Sequence, residues 1–482
     1  MSEKNDIKQK TISGLFWRFA ERCGAQGVSF IVSIVLARLL APNDYGLIAM
    51  ITVFITISQV FVDSGMGNAL IQKKNADNLD FSSVFYFNII LCVIIYVILF
   101  FVSPYIAEFY SSPELVPVLR VLSLTVVISA IKNVQQAYVS KHMLFKRFFY
   151  STLGGTLFAA IVGIIMAYLG YGVWALVAQQ LVNTIIDTTI LWVTVKWRPT
   201  KEFSLRRLKK LFSFGWKLLV ASLIDTVYSN IRQLIIGKLY SSADLAYYNR
   251  GKTIPNLVVT NINSSIDSVL LPALSVEQNH VEKVKAMTRR AIKISSYIMW
   301  PMMIGIVVVA EPLVRILLTE KWIEAVPYLR IFCIMFAFQP IQTANLNAIK
   351  AMGRADLFLK LEISKKVLGL LILLGAIKHG VLAIAGSLLI YTFVAQLLNS
   401  LPNRSLLNYS YFEQLKDIIP YIVLAGLMAT IIYPICMFNW NDFVTIVIQV
   451  ILGVVIYVIG SIIFKLDSFR YIYNILRNLI KR

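Results

Sequence analysis

Residues that build catalytic and metal centres are scarce in this chain of 482 residues. It has 3 histidines, which lie far apart in the sequence, so no metal site is expected. Its 4 cysteines form no CxxC pair and are expected to be packing residues of separate apolar segments. Charged residues make up only 15% of the chain, whereas 58% of the residues are hydrophobic. A soluble core does not need so many apolar side chains, and the composition therefore indicates a membrane protein.

Motifs of enzymes and ATPases are lacking as well. Gly251-Lys252-Thr253 looks like the end of a phosphate-binding loop, but position 246 is Ala where that motif has its first glycine. The loops are too short for a nucleotide-binding domain or for the carboxylate-bearing loops of membrane glycosyltransferases. We therefore expect no catalytic residues and no cofactor.

Apolar stretches long enough to cross a hydrocarbon core of roughly 30 Å recur along the whole chain. They predict an all-α polytopic membrane protein with about fourteen transmembrane helices. The predicted spans are 13–40, 45–72, 81–104, 115–140, 148–169, 171–195, 211–238, 245–272, 289–310, 325–350, 356–378, 380–403, 418–438 and 442–464.

The net charge of +21 does not indicate a nucleic-acid partner, because of where the charge lies. Basic clusters occur in every second loop, as at Lys73-Lys74 and from Lys196 to Lys210, whereas the intervening loops are neutral or acidic. By the positive-inside rule the basic loops and both termini are cytoplasmic. The clusters are interpreted as orientation signals that touch anionic membrane lipids.

The sequence repeats itself at a distance of about 200 residues, which is typical of a duplicated half. The repeat consists of three short matches in the same order: Arg38-Leu39 with Asp44 and Lys238-Leu239 with Asp244, Val116-Pro117-Val118-Leu119-Arg120 and Val326-Pro327-Tyr328-Leu329-Arg330, and Gly172-Val173-Trp174-Ala175 and Gly380-Val381-Leu382-Ala383. Each half would hold six helices. Since six is even, the halves are predicted to be parallel repeats about an axis along the membrane normal. A proline precedes the arginine in both halves, so Arg120 and Arg330 are expected to have a structural role.

The repeat predicts five regions, of which two are duplicated lobes. They are an N-terminal six-helix lobe (1–195), a basic cytoplasmic linker with a surface helix (196–210), a C-terminal six-helix lobe (211–407), two additional helices (408–464) and a cytoplasmic amphipathic tail (465–482).

Ionisable residues at membrane depth carry the functional signal, because a charge at the bilayer centre costs about 2.5 to 3.5 kcal/mol. They recur at helical spacing on the first, seventh and eighth predicted helices, and a helix that is polar along its length must face a wet cavity or a partner helix. The candidate substrate-binding residues are Arg18, Arg22, Gln26, Arg232, Arg250, Lys252, Asn256 and Asn263. The candidate residues for ion coupling are Glu21, Asp63, Asp225 and Asp267.

Other roles stay open for several of these residues. Arg18 is close enough to the cytoplasmic end of its helix to snorkel to the interface. Arg22 lies ~15 Å along the helix at a rise of ~1.5 Å per residue, which makes snorkelling difficult, although pairing with Glu21 remains an alternative. For Asn263 and Asp267, hydrogen bonding between helices is an equal alternative to cavity lining.

The N-terminal region resembles a known family of exporters. The motifs that carry the resemblance are Gly14-Leu15-Phe16-Trp17-Arg18, the run from Leu36 to Leu47 (LARLLAPNDYGL), and the run from Asp63 to Gln72 (DSGMGNALIQ). Together they resemble Wzx-type polysaccharide exporters, and among these the colanic-acid and teichuronic-acid branch.

The resemblance implies the multidrug/oligosaccharidyl-lipid/polysaccharide exporter fold, with two six-helix lobes in a V shape and two extra helices. It also implies flipping of an undecaprenyl-pyrophosphate-linked oligosaccharide to the outer leaflet of the bacterial plasma membrane, for surface polysaccharide biosynthesis. Cavity arginines of related lipid flippases lie on the first and eighth helices, as do Arg18, Arg22 and Arg250 here. The implied partners are the lipid-linked oligosaccharide and membrane lipids, with polysaccharide polymerase and chain-length machinery as candidate protein partners.

Two alternative functions remain. A multidrug antiporter of the same superfamily exports organic cations and is expected to have a carboxylate-dominated cavity, whereas basic residues outnumber Asp225 and Asp267 here. A non-transporting membrane scaffold of polysaccharide assembly is the second alternative. A pyrophosphate with attached sugars requires cations and hydrogen-bonding groups along its path, and arginine and asparagine supply both.

Overall fold

The computed structural model describes residues 2–63, 66–438 and 440–480, with all side chains except those of residues 2–16, 18, 19, 22, 23, 214, 475, 476, 479 and 480. This part of the chain is helical and contains no β-strand. The first ten helices are α1 (Ser2–Leu39), α2 (Pro42–Asp63), α3 (Met66–Gln72), α4 (Asn78–Phe109), α5 (Leu115–Leu122), α6 (Leu124–Lys141), α7 (Lys146–Tyr168), α8 (Val173–Thr194), α9 (Leu205–Leu239) and α10 (Ser242–Val276). The others are α11 (Val281–Val308), α12 (Ala310–Leu318), α13 (Val326–Ala337), α14 (Gln339–Ala351), α15 (Ala355–Ala376), α16 (Val381–Leu407), α17 (Tyr411–Ile432), α18 (Asp442–Ile463) and α19 (Asp467–Ile480).

Eleven spans in the described ranges are long and apolar enough to cross a membrane. The number is 12 when Leu205–Ser213 and Gly215–Leu239, which are bent by 50° within α9, count as one span. The chain is therefore a multi-pass helical membrane protein, but the predicted number of about fourteen spans is not confirmed.

The two remaining predicted spans correspond to α1 and α15, which are helical but carry several charges. In α1 the described residues include an apolar helical segment, Gly24–Leu39.

The chain divides into two compact units, Met1–Ala246 and Tyr247–Arg482. Helix α9 and the first turn of α10 belong to the N-terminal unit. The assignment of 1–195 and 211–407 to two six-helix lobes, with the regions between and after them, stays a prediction.

The repeated proline motif has the same local structure in both copies. Arg120 in α5 donates from Nε to Ser103 Oγ at 2.9 Å, and its guanidinium carbon lies 4.1 Å from the ring centroid of Phe100 in α4. Arg330 in α13 likewise donates from Nε to the Val307 carbonyl of α11 at 3.4 Å. Arg120 thus connects α5 to the end of α4, and Arg330 connects α13 to the end of α11. In both copies, the helix that begins at the repeated motif is attached to the preceding long helix.

The repeated aspartate closes the same turn in both copies. Asp44 Oδ2 accepts a hydrogen bond from the Ala41 N–H at 3.0 Å, between α1 and α2. Asp244 Oδ2 accepts from the Ser241 N–H at 3.2 Å, between α9 and α10. A short acidic side chain at this position satisfies an amide that the helix start would leave without a partner.

The third repeated motif begins a helix after a glycine. Gly172 has φ +52° before α8, and Gly380 has φ +93° before α16. A residue with a Cβ rarely adopts these backbone angles, so glycine is favoured at both positions.

The linker before α9 is attached to the N-terminal end of α4. The N–H groups of Thr200 and Ser204 donate to Ser82 Oγ at 2.9 Å and Ser83 Oγ at 3.0 Å. Arg207 forms an ion pair with Asp77, the N-cap residue of α4, and this hydrogen bond lowers the pKa of Asp77 to about 2. The connection is therefore anchored at one end of α4.

Candidate functional site

Arg232 is a buried cation in α9, within the N-terminal unit. It is only 4% exposed, and its Nε and Nη2 atoms have no hydrogen-bond partner among the described residues. An arginine does not lose its charge by deprotonation in a protein, and burying an unpaired ion costs several kcal/mol. An anion that enters beside Arg232 would supply the missing partners, so this side chain is a candidate anion-binding group.

A cavity of about 430 Å³ opens in the same unit, and its size lies in the range of ligand pockets. Helices α2, α3, α6 and α9 provide its lining, which consists of Val60, Asp63, Gly67, Asn68, Ile71, Asn133, Gln136, Ala137, Ser140, Leu218, Leu219, Ser222 and Thr226. Asn133 Nδ2 donates to Asp63 Oδ1 at 3.1 Å. Amides, hydroxyls and one carboxylate thus present both donors and acceptors to the cavity.

The cavity contains one of the predicted coupling residues, Asp63. Asp225 is exposed on α9 beside the lining residue Thr226, but it is not among the lining residues itself. The structure therefore distinguishes Asp63, which lines the cavity, from Asp225, whereas the sequence did not favour either as the coupling residue.

An ion pair between α6 and α8 was missed by the sequence analysis. Lys132 Nζ lies 2.8 Å from Asp187 Oδ2, with the two side chains 18% and 13% exposed. Lys132 also interacts electrostatically with Asp63, so the pair is connected to the cavity carboxylate. Both residues interrupt apolar spans, which was the available signal, but partners on two different helices are not visible in a single sequence.

Helix α8 carries a polar face of Gln179, Asn183 and Asp187 at steps of four residues. Glycines of α7 allow its backbone to approach this face. A Cβ on Gly155 would lie 2.8 Å from Asn183 Oδ1, and one on Gly163 would lie 3.0 Å from Gln179 Cβ. Small residues four or eight positions apart are typical of close helix packing in membranes.

The predicted polar residues of α1 are described only in part. Glu21 Oε1 accepts a hydrogen bond from Thr152 Oγ1 of α7 at 3.2 Å. This contact favours a role for Glu21 in the packing of α1 against α7. Gln26 is exposed. The side chains of Arg18 and Arg22 lie outside the described residues, so their assignment to the cavity stays a prediction.

In the C-terminal unit, Arg250 of α10 lies over an aromatic ring. Its guanidinium carbon is 5.3 Å from the ring centroid of Trp322, which is fully buried. Lys252 is half-buried, and Asn256 is exposed. Stacking on an indole orients the plane of a guanidinium.

Further along α10, one of the polar residues is hydrogen-bonded to α14. Asn347 Nδ2 of α14 donates to Asp267 Oδ1 at 2.9 Å. Asn263 is half-buried, and its Oδ1 atom has no hydrogen-bond partner within the described part of the chain. For Asp267 the structure shows the helix-to-helix hydrogen bond that was the alternative to cavity lining.

An apolar groove of about 350 Å³ lies between α11, α17 and α18 of the C-terminal unit. Its lining includes Met302, Val450, Val454 and Val458, which are between 37% and 60% exposed. The lining also includes Gln449, whose Nε2 donates to the Ile432 carbonyl at 3.1 Å. In a bilayer, exposed side chains of this kind face hydrocarbon chains.

Helical spans with buried charges and a polar cavity define a membrane transporter as the class that this fold and site fit best. The chain belongs to the polysaccharide biosynthesis protein family, whose model matches residues 35–327.

The sequences of two related proteins align with most of the chain. The lipopolysaccharide biosynthesis protein WzxC of Escherichia coli (strain K12) is 23% identical over 86% of this chain and 82% of its own length. The teichuronic acid biosynthesis protein TuaB of Bacillus subtilis (strain 168) is 27% identical over 77% of each chain. The resemblance to Wzx-type polysaccharide exporters is therefore confirmed.

Solved structures show the fold. The inward closed conformation of the lipid II flippase MurJ aligns with a TM-score of 0.74 at 15% identity, over 93% of this chain and 98% of that one. An inward-facing multidrug resistance MATE family transporter of the MOP superfamily aligns with a TM-score of 0.63 at 17% identity, over 79% and 94%. Since both are so dissimilar in sequence, they establish the exporter fold and leave the substrate to be argued from residues.

Proposed function

We propose that this protein flips an undecaprenyl-pyrophosphate-linked oligosaccharide from the cytoplasmic to the outer leaflet of the bacterial plasma membrane, for surface polysaccharide biosynthesis. It acts by alternating access, with both termini cytoplasmic, and it is a transporter and not an enzyme. The observation that carries the proposal is the buried guanidinium of Arg232 in the C-terminal half of α9, whose Nε and Nη2 atoms have no hydrogen-bond partner among the described residues.

The headgroup is the part of the substrate that a membrane opposes most strongly. A pyrophosphate carries negative charge through a low-dielectric region, where an arginine can bind it by two parallel hydrogen bonds. The Nε and Nη2 atoms of Arg232 have no such partner among the described residues, and the guanidinium of Arg250 is stacked on Trp322. We assign Arg232 to the pyrophosphate and keep Arg18, Arg22, Arg250 and Lys252 as candidates for the same path.

The sugars require a different surface from the headgroup. Hydroxyl groups are bound by amides, hydroxyls and carboxylates, which are the polar groups that line the cavity of about 430 Å³. Asn68, Asn133 and Gln136 are therefore candidate sugar-binding residues. The polyprenyl tail needs no polar path and stays in the hydrocarbon region of the membrane.

Asp63 is the best placed of the candidate coupling carboxylates. It lines the cavity, accepts a hydrogen bond from Asn133, and interacts with Lys132. Protonation of Asp63 would remove the negative charge from the cavity lining and weaken its attraction to Lys132, so one proton can bias the occupancy or shape of the site.

A multidrug cation antiporter is the first alternative, because a MATE transporter shares the fold. A buried arginine without an acidic partner in the described part of the chain opposes the entry of a cation, so Arg232 favours an anionic substrate. A non-transporting scaffold is the second alternative, and it gives no reason for a buried ion without a partner. Polysaccharide polymerase and chain-length machinery stay predicted protein partners.

Deletion of the gene tests the proposed function in the native cell. We expect a lipid-linked oligosaccharide to accumulate on the inner leaflet, and its isolation would identify the sugar repeat. Increased drug sensitivity with normal polymer export would favour the antiporter. Normal polymer export by a strain in which every candidate cavity arginine is replaced would favour the scaffold.

A further inference from the structure

A second polar pocket lies apart from the residues assigned to transport, between α11 and the surface helix α19 of the C-terminal unit. It has a volume of about 330 Å³. Its charged and aromatic lining comprises Arg289, Arg290 and Lys293 from α11 and Asp467 and Tyr471 from α19. The proposed transport of oligosaccharide uses none of these residues.

Helix α19 is fixed at its first turn. Ser468 is 2% exposed, and its Oγ atom lies 2.7 Å from the hydroxyl of Tyr421 in α17. Asp467 Oδ2 lies 3.6 Å from Lys293 Nζ. The pocket wall that α19 provides is therefore attached to the transmembrane helices by side-chain contacts.

The three basic side chains of the pocket differ in how many of their N–H groups are hydrogen-bonded to carboxylates. Arg289 donates from Nε and Nη2 to both oxygens of Asp417, at 2.6 and 2.7 Å, and is committed to that carboxylate. Lys293 lies 3.6 Å from Asp417 and 3.6 Å from Asp467, which is beyond ordinary hydrogen-bond distance. The ammonium group of Lys293 can therefore donate hydrogen bonds to a further ligand.

Arg290 is the cation with the most free donors. Its guanidinium carbon lies 5.2 Å from the ring centroid of Tyr471, and it has no carboxylate partner among the described residues. Stacking on the ring orients the guanidinium plane, so its N–H groups can bind a phosphate by a pair of hydrogen bonds. Arg290 and Lys293 are one helical turn apart and face the same pocket.

We propose that this pocket binds the phosphate of an anionic phospholipid from the leaflet in which α19 lies. Helix α19 has apolar and aromatic residues such as Phe469 and Tyr473, with the basic residues Arg470 and Arg477 exposed. This composition is typical of a helix at the membrane interface, where aromatic rings lie at headgroup depth. Basic pockets at the cytoplasmic ends of transmembrane helices are suited to anionic headgroups.

The test measures lipid retention by the full-length protein, so it does not depend on the proposed transport function. The purified protein is titrated with phosphatidylglycerol or phosphatidylcholine in mixed micelles, and bound lipid is counted by native mass spectrometry. We expect selective retention of phosphatidylglycerol, reduced about fivefold by Arg290→Gln, since one basic residue at the surface is worth about that factor. Arg290→Lys should retain an intermediate affinity.

Arg470→Gln is the matched control, because Arg470 is an exposed arginine of α19 that does not line the pocket. Equal loss of lipid in Arg470→Gln and Arg290→Gln would overturn the assignment of the pocket. So would equal retention of phosphatidylcholine and phosphatidylglycerol by the unmodified protein. Displacement of the lipid by millimolar inorganic phosphate at constant ionic strength would show that the site takes free phosphate, and would overturn the choice of lipid.

Discussion

Gly46 in α2 lies directly against the backbone of Ser242, the first residue of α10. A Cβ on Gly46 would overlap the Ser242 carbonyl group and lie 2.7 Å from Ser242 Cβ. Ser242 Oγ also donates to Asn43 Oδ1 at 3.2 Å. Gly46 lies two residues after the turn that Asp44 closes, and Ser242 lies in the turn that Asp244 closes, so the two repeated segments are in backbone contact.

Gly46→Ala is expected to destabilise the closed contact between these turns. The added methyl group meets backbone atoms, which cannot rotate away, and overpacking of this kind costs about 1–3 kcal/mol. The midpoint of thermal unfolding of the purified protein should therefore fall. Gly386→Ala is the control, because a Cβ there would meet nothing within 4 Å. Equal midpoints for the two variants would contradict the close approach.

Replacement of the two repeated arginines should have unequal effects. Arg120→Met removes a 2.9 Å hydrogen bond and a stacking contact, whereas Arg330→Met removes one bond of 3.4 Å. We expect Arg120→Met to lower the free energy of unfolding by about 1.5–3 kcal/mol, which is typical of a hydrogen bond to a charged group. Denaturation in detergent would measure both variants. A larger loss for Arg330→Met would show that these contacts do not decide the stability.

The repeat could be predicted from the sequence because each match marks a local structure. Asp44 and Asp244 close turns, and Gly172 and Gly380 have positive φ, so these residues are constrained by the backbone near them. The helical class followed from composition in the same way.

Contacts between distant segments could not be predicted. Lys132 and Asp187 lie in spans that are apolar as a whole, and their pairing depends on the packing of α6 against α8. The exact number of spans could not be predicted either, because hydropathy does not separate a charged helix such as α15 from the membrane helices beside it. Arg232 was predicted as a site residue, whereas its lack of partners required the structure.

Asp63→Asn is expected to remove proton coupling while leaving the cavity intact. Asparagine has nearly the same shape as aspartate but does not exchange a proton at physiological pH. In proteoliposomes, the flipping rate of this variant should equal the rate of the unmodified protein without a pH gradient. Asp225→Asn is the comparison, since Asp225 is exposed and does not line the cavity. Full stimulation of Asp63→Asn by a pH gradient would exclude Asp63 as the coupling site.

Alternating access predicts unequal labelling of single cysteines at positions 22 and 252. In a background that lacks Cys23, Cys92, Cys333 and Cys436, a membrane-impermeant thiol reagent is added outside. Lys252→Cys should react in a manner that depends on substrate, and Arg22→Cys should react mainly from the cytoplasmic side. Equal labelling of both cysteines from both sides, unchanged by substrate, would indicate a static pore.

The role of Arg232 as the pyrophosphate ligand is tested most directly by measuring transport and stability in the same variants. Lys238 provides a matched cation on α9, because it is already engaged with the ring and the carbonyl of Phe109. We compare Arg232→Met, Arg232→Lys and Lys238→Met in proteoliposomes that contain a fluorescent lipid-linked oligosaccharide.

Arg232→Met should slow flipping about 10- to 100-fold, from the loss of a charged hydrogen bond in the transported state. Its thermal unfolding midpoint should be unchanged or higher, because an unpaired buried ion is removed. Arg232→Lys should retain part of the rate, and Lys238→Met should flip at nearly the normal rate. Normal flipping by Arg232→Met, or a loss of transport that is matched by a loss of folded protein, would contradict the account.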